Sequence, residues 1–209
     1  MMNRSFVLLA LSAALSALPA LGQMRSFSQA PVGGGTAAPA QEVVLRVKDV
    51  KVDTRVQSPM YQNSSERGQS TQKHWLRVIQ EYETQNEWID ELEFTYYVLV
   101  RDAKGKDRAF RKTVSYVDIK KGRHIADAFI RPNTFERMNA SVVHAAVVIK
   151  SKGIAGMKVV ASSSTLNQAN WWEQIASEEG TLLDRDETPF ANVAYDNYEL
   201  IKRPAPQAR

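Results

Sequence analysis

The sequence has no cysteine in its 209 residues, and this absence excludes several kinds of chemistry. Disulfide bonds, thiolate catalysis, cysteine-ligated zinc and a lipid-modified cysteine all require the thiol group. The domain must therefore hold its fold by packing and hydrogen bonds alone.

Sequence signatures of catalytic and metal sites are also missing. There is no Gly-x-Ser-x-Gly elbow and no phosphate-binding loop. The histidines His74, His124 and His144 show no paired metal-ligand spacing, and we expect His144 to lie in a core strand, satisfied by a neighbour. Residues 184–187 resemble part of a calcium loop but lack its glycine and final glutamate, so we expect a solvated turn before Pro189. We therefore predict a chain that is not an enzyme and holds no metal or cofactor, although a converging carboxylate pair stays open.

Neither sign of charge dominates the sequence. It carries 27 basic and 23 acidic side chains, a net charge of +4, which is too balanced to indicate nucleic-acid binding. Hydrophobic residues make up 44% of the chain, a proportion that argues against a wholly disordered protein. The length fits one domain with a full core plus tails.

A long apolar run occurs only at the N-terminus. Residues 1–22 combine a positive Arg4, an apolar run over residues 6–18 and small residues at a cleavage position, which is typical of a secretory signal. An uncleaved anchor is the alternative, but about 20 apolar residues are needed to span a bilayer. We expect cleavage, export to the periplasm or the cell surface, and no membrane span in the mature chain. Residues 23–41 are rich in Ser, Ala, Pro and Gly, which predicts a flexible linker.

Alternating side chains dominate the stretch from residue 88 to residue 117. One parity is apolar and aromatic, and its members are Leu92, Phe94, Tyr96, Val98 and Val100. A period of two places them on one face of a strand. A polar loop containing Gly105 follows and the chain then returns through Phe110, so the pattern predicts a long antiparallel hairpin with one buried face.

The rest of the chain has patterns typical of short strands and polar connections. We predict strands over residues 42–54 (bent near Lys48), 74–83, 125–130, 140–150, 157–161 and 193–201. A long loop is expected at 57–73, and shorter connections at 86–89 and 120–123. Helical segments are expected at 134–138 and 166–176. About seven or eight strands with one or two short helices give a mostly β domain over residues 42–203, followed by a disordered tail at 204–209. An antiparallel immunoglobulin-like β-sandwich is the best architecture, and a β-barrel is the alternative.

Charged residues are unevenly distributed along the hairpin region. Residues 80–93, which we predict to form a short hairpin, hold six acidic side chains and no basic one, whereas residues 101–123 hold nine basic and three acidic side chains. Such runs are usually solvated faces, but a two-signed surface can also orient a partner. We therefore take Lys104, Lys106 and Arg108 as candidate binding residues.

Trp171 and Trp172 are the most suggestive pair of residues. Neighbours on a helix or a strand cannot both face the same core, so one indole could stack on a sugar or anchor a partner. The alternative is that both cover the edge of the sandwich like a lid. The pair supports a second hypothesis, a carbohydrate-binding domain for mucin-type glycans.

Several C-terminal segments occur together with the segment at 88–92. They are Trp171-Trp172-Glu173, the run at 182–191 and the run at 195–199. This combination resembles a family of exported proteins of Verrucomicrobia, of the Akkermansia type, over roughly residues 42–203. The resemblance implies an immunoglobulin-like fold and an envelope role associated with type IV pilus-like gene clusters. It carries no functional residue over to this chain.

These observations together predict a non-enzymatic, exported interaction module. We expect it to work through protein–protein contacts with envelope or pilus-like proteins, in a pilus-like or adhesive assembly. Sheet edges and the two-signed hairpin would be its contact surfaces. Glycan binding is the alternative function, and an enzyme of unrecognised type is the third.

Overall fold

The structure, a computed structural model, describes residues 44–59, 73–152, 158–162 and 170–203. The predicted signal, linker and C-terminal tail lie outside the described residues, as does most of the loop predicted at 57–73. The account that follows concerns the described residues.

This part of the chain is mostly β with few short helices, as the sequence predicts. Nine strands form one mixed sheet, and they are β1 (Leu45–Val47), β2 (Lys51–Gln57), β3 (His74–Arg101), β4 (Asp107–Ile130), β5 (Ser141–Ser151), β6 (Lys158–Ser162), β7 (Ser177–Glu178), β8 (Leu182–Asp184) and β9 (Leu200–Ile201). The α-helices are α1 (Pro132–Met138) and α2 (Trp171–Gln174). Short 3-10 turns follow β8 at Arg185–Glu187, Pro189–Asn192 and Tyr195–Asn197.

The long antiparallel hairpin predicted around residue 100 is confirmed as the pair β3–β4. Its Cα partners run from Leu76 opposite Ile130 to Arg101 opposite Asp107. Gly105 turns the chain at the tip with a φ of 77°. The apolar parity of β3 is fully buried, because alternate residues of a strand share one face.

Both strands of this hairpin bend midway along their length. The β3–β4 register shifts between Thr84 and Trp88. On β4, Asp118 and Gly122 adopt φ values of 56° and 144°. A bulge of this kind bends a strand without ending its pairing.

Three predictions for this region are therefore wrong. The connection expected at 86–89 is a bulge inside β3, so the acidic hairpin expected at 80–93 is one continuous strand. The basic turn expected at 120–123 is likewise a bend inside β4. Polar residues near a bulge give the same local pattern as a turn, and only the continued pairing distinguishes the two.

The bend folds the hairpin over itself, so that its two halves face each other. The ring of Tyr82, before the bulge, lies 5.1 Å from the ring of Phe94, after it. Across the bend of β4, the hydroxyl of Tyr116 donates to the backbone carbonyl of Asp127 over 3.5 Å. This arrangement is consistent with a β-sandwich, and the immunoglobulin-like topology stays a prediction.

The two layers share β3 and β4. The first layer contains β1, β2 and β8, together with residues 74–84 of β3 and 122–130 of β4. The second layer contains β5, β6, β7 and β9, together with residues 88–101 of β3 and 107–120 of β4. The break between β1 and β2 confirms the bend predicted near Lys48, and β5 and β6 confirm two of the predicted strands.

The main core lies between the two layers. Its large, fully buried side chains include Leu76, Phe94, Tyr96, Phe110 and Ile130. Burying one side chain of this size stabilises the fold by about 1.5–3 kcal/mol. A second cluster lies beneath α2 on the outer face of the second layer, and a third joins Trp75, Phe129 and Phe190.

The C-terminal segment differs from its prediction. Most of the strand expected at 193–201 is irregular, and only β9 pairs with the sheet. Turn chemistry explains the difference, because Thr188 accepts a cap bond from the N–H of Phe190 and Ala194 adopts a φ of 50°. The turn expected at 184–187 is present as a 3-10 turn but is only partly solvated, since Asp184 and Arg185 are 4% and 6% exposed whereas Asp186 and Glu187 are exposed.

Candidate functional site

The three basic residues predicted at the hairpin tip lie in two different settings. Lys104 and Lys106 are exposed at the tip itself. Arg108 instead pairs with Glu178 of β7, with Nη2 2.6 Å from Oε2, and its guanidinium lies 5.2 Å from the centroid of the Phe110 ring. Arg108 therefore helps to hold β7 against β4.

Trp171 and Trp172 are buried against the outer face of the second layer. They are 1% and 8% exposed, and their rings meet edge to face at 5.9 Å. The residues beneath them are Leu99, Ala109, Ala146 and Val148. Neither indole presents an open face to a sugar, and the pair covers the sheet.

His144 lies in contact with this aromatic cluster and has an unpaired nitrogen. Its ring is 6.0 Å from that of Trp171. Among the described residues, its Nδ1 has no hydrogen-bond partner, and neither has the Nε1 atom of either tryptophan. The expectation that a neighbour satisfies His144 is therefore wrong at Nδ1. Burial, and then the charge of Arg101, lower the pKa of His144.

One edge of β4 is open between two short partner strands. β7 pairs with Ala109 and Phe110, and β9 pairs with Tyr116 and Val117. Within the part of the chain that the structure describes, no strand pairs with residues 112–114 on this edge. Among the described residues, the outermost row of the second layer therefore has a gap.

Thr113 is the residue of this gap whose backbone points outwards. The N–H of Lys202 donates to the carbonyl of Ser115 over 2.8 Å, so the backbone groups of Ser115 face β9. Backbone direction alternates along a strand, and the N–H and C=O of Thr113 therefore face the same edge. They have no backbone partner there among the described residues, and Thr113 is exposed.

A groove of about 450 Å³ runs along the open edge. Residues 113–115 of β4 form its floor, and residues of β8, the first 3-10 turn and the β9 segment form its walls. Its charged side chains are Glu91, Lys112, Lys152, Asp184, Glu187, Lys202 and Arg203. The groove thus places an unpaired backbone edge among side chains of both signs.

These charges are paired with one another. Glu91 accepts hydrogen bonds from Lys202 and Lys152 at 2.5 and 3.0 Å, and these bonds lower its pKa. Burial lowers the pKa of Lys112, but its contact with Glu187 at 2.7 Å and nearby negative charge outweigh burial and raise it. A groove of matched charges with a free backbone edge suits a polypeptide better than a simple ion.

A buried ion cluster lies where the C-terminal segment crosses the first layer. Asp127, 1% exposed, accepts from Arg77 at 2.7 Å and from Arg185 at 2.8 Å. Arg185 also lies 3.4 Å from the centroid of the Tyr198 ring, and the Tyr198 hydroxyl accepts from Arg77 at 2.7 Å. Burial raises the pKa of Asp127 against the opposing effect of both guanidinium groups. The cluster anchors the C-terminal segment to the sandwich.

Trp88 is a surface residue that sequence reasoning did not select. It lies at the bulge of β3 and is 55% exposed, whereas the other three tryptophans are at most 8% exposed. A large exposed aromatic is the residue type most often found at the centre of protein interfaces. Its place beside the polar residues 85–87 was the available signal, because a run of polar residues is typical of a solvated bend.

The described residues form neither a metal-ligand cluster nor a membrane-spanning helix. No group of three or more His, Asp or Glu side chains there converges as a metal site would require. No helix there has the length and apolar character needed to cross a bilayer.

Comparison with known proteins connects the chain to a family. A family model matches residues 36–205, which is most of the sequence. The crystal structure of a protein from Akkermansia muciniphila is similar, with a TM-score of 0.66 and 25% identity over 81% of this chain and 98% of that one. The chain belongs to this Akkermansia-type family. No curated protein sequence matches it significantly. The match covers β1 to β9, so the open β4 edge lies within the shared domain.

Proposed function

We propose that the chain is a non-enzymatic interaction module of the cell envelope, which binds an extended segment of a partner protein at the open edge of β4. The observation that carries the proposal is Thr113, whose outward N–H and C=O have no strand partner among the described residues. Extended segments dock on such edges through main-chain hydrogen bonds.

A comparison of two edges of the sheet supports this choice. β2 is an edge strand of the first layer within the described residues, and its register with β3 shifts between Asp53 and Val56. This bulge, together with the exposed charged side chains of β2, discourages the addition of another strand. The β4 edge around Thr113 has a regular register with β3, and the strands on either side of the gap hold it in an extended form.

The envelope setting rests on the sequence and the family. Residues 1–22 have the pattern of a secretory signal, and the chain belongs to the Akkermansia-type family. A pilus-like or adhesive assembly is the proposed context for the partner. Trp88, exposed at the bulge, is a second point of contact for the same partner.

The test is photo-crosslinking in the envelope of the producing organism. A benzophenone amino acid replaces Thr113 in one variant and Glu136, an exposed residue of α1, in the control. We expect position 113 to capture a partner protein that position 136 does not. Capture of no partner, or of the same proteins at both positions, would show that the edge is not a docking site.

A pair of backbone variants completes this test, with the benzophenone amino acid moved to Arg111, an exposed residue of β4 two positions from Thr113. Thr113→Pro removes the outward N–H but leaves the β3–β4 ladder intact, because the backbone of Thr113 faces away from β3. Thr113→Val keeps the N–H, and both variants lose the hydroxyl contact with Thr95 at 3.2 Å. Capture should fall about ten-fold in Thr113→Pro alone, because a lost hydrogen bond costs about 0.5–1.5 kcal/mol and the ring crowds the incoming strand.

A further inference from the structure

We infer that β9 is a displaceable plug on this docking edge. The partner segment that replaces it is an extended strand with an apolar residue followed by two basic residues. This inference rests on the proposed function, because it names the partner chemistry and the regulation of the same edge.

The gap beside β9 is too small to hold a strand by itself. Thr113 offers one N–H and one C=O, whereas stable strand pairing needs a row of such groups. Displacement of β9 would add the outward groups of Ser115 and Val117, which now face β9. The bend at Asp118, with its φ of 56°, ends the edge on the far side. A partner strand therefore gains a full row of bonds only by taking the place of β9.

β9 is held weakly for a strand of a folded domain. It has two residues, and Leu200 is 55% exposed. Ile201, at 7% exposed, is its contribution to the main core. The side chains of Lys202 and Arg203 are 49% and 47% exposed, so each of their ion pairs by itself holds β9 only modestly.

The contacts of β9 specify what a replacing strand must carry. Ile201 packs in the main core. Lys202 then meets Glu91, with Nζ 2.5 Å from Oε2, and Arg203 meets Asp186, with Nη2 2.7 Å from Oδ2. A strand without these groups would leave Glu91, whose side chain is only 10% exposed, without one of its two cations.

The β4–β9 register also specifies the next residue of a docked strand. In that register, the partner residue two positions beyond the one that replaces Lys202 lies opposite Thr113. Any residue except proline there can donate its backbone N–H to the carbonyl of Thr113. The chain's own sequence has proline at position 204, so a partner strand can carry a donor that this sequence lacks.

The experiment measures binding of two labelled peptides to the full chain by fluorescence anisotropy. Both peptides have the sequence of residues 198–203, and the next residue is threonine in the probe and proline in the control. We expect the probe to bind about ten-fold more tightly than the control. Probe binding should also slow hydrogen exchange at the amide of Thr113.

Two double variants test the plug itself. Lys202→Ala with Arg203→Ala loosens β9 without touching the core, and Lys120→Ala with Lys121→Ala removes the same charge at the exposed bend of β4. Probe affinity should rise about ten-fold in the first variant only, because the three ion pairs of Lys202 and Arg203, which together compete with the peptide, are gone. Dimers of the first variant in analytical ultracentrifugation would overturn the inference, since the occupant would then be a second copy of this chain.

Equal binding of the two peptides, or no protection of Thr113, would also overturn the inference. Those results leave the proposed function standing if position 113 still captures an envelope partner. Conversely, peptide binding without any captured partner would refute the proposed function, while the inference that β9 can be displaced would stand.

Discussion

Arg185 and Asp127 form a buried ion pair in which Nη1 lies 2.8 Å from Oδ2. They are separated by 58 positions in the sequence, and the pair fastens the C-terminal segment to β4. Arg77 donates to the same carboxylate oxygen. The 3-10 turns of the C-terminal segment are therefore held by a charge cluster.

The first prediction concerns this pair. Arg185→Met should lower the free energy of unfolding by about 3 kcal/mol, because it leaves a buried carboxylate with only one cation. Urea unfolding followed by circular dichroism measures the loss. The control is Arg111→Met, which removes the exposed pair with Glu179 and should cost at most about 1 kcal/mol. Equal losses in the two variants would contradict a special role for the buried pair.

The second prediction concerns acid stability and Glu81. Hydrogen bonds from Lys48 and Lys51 lower the pKa of Glu81 from 4.5 to about 2. The folded state therefore favours the charged form, and its stabilisation is complete above pH 4.5 and disappears as the pH falls towards 2. Because both lysines are exposed, we expect Glu81→Gln to cost only about 1 kcal/mol at pH 7. Thermal unfolding at several pH values should show the two proteins converging near pH 2, and a constant difference would contradict the pairing.

The third prediction concerns His144. Burial lowers the pKa of His144, so the unfolded chain takes up a proton at this residue more readily than the folded one. Stability should therefore fall as the pH drops below about 6.5. His144→Leu removes both this proton uptake and the unpaired Nδ1. The melting temperature of the variant minus that of the parent should therefore increase as the pH is lowered from 7 to 5. His74→Leu, at an exposed position, is the control and should show no such trend.

The fourth prediction concerns the tryptophans. Iodide should quench mainly Trp88, because the other three are at most 8% exposed. Trp88→Phe should abolish most of the quenching and change stability by less than about 0.5 kcal/mol. Trp171→Ala should keep the quenching and destabilise the fold by about 3–5 kcal/mol. Strong quenching in Trp88→Phe would mean that an indole of the buried pair is open to solvent.

The central hairpin could be predicted because its signal is local. The alternation from Leu92 to Val100 is a property of neighbouring residues, and it fixed the buried face of β3 correctly. The continuity of β3 through residues 85–87 could not be predicted in the same way. A bulge and a turn use the same polar residues, and only the pairing of Thr84 and Trp88 with β4 distinguishes them.

The candidate site was less accessible to sequence reasoning. The gap at Thr113 depends on where β7 and β9 stop, and these strands come from positions 177–178 and 200–201. No local pattern around Thr113 records those end points. The burial of Trp171 and Trp172 is one of the two alternatives that the sequence predicts. Both residues belong to α2, a single helical turn that lies over the outer face of the second layer, and both indoles pack in the cluster beneath it.

The shared course of β3 and β4 has a mechanical consequence. In a sandwich made of two separate sheets, a load between the layers is opposed only by side-chain contacts. Here each layer continues into the other through the covalent backbone of β3 and β4. A force that slides one layer over the other is therefore resisted by the backbone and the hydrogen bonds of this hairpin. Under tension from the C-terminus, β9 would peel away one bond pair at a time while the layers stay joined. A domain built in this way can yield at β9 and keep its two layers intact.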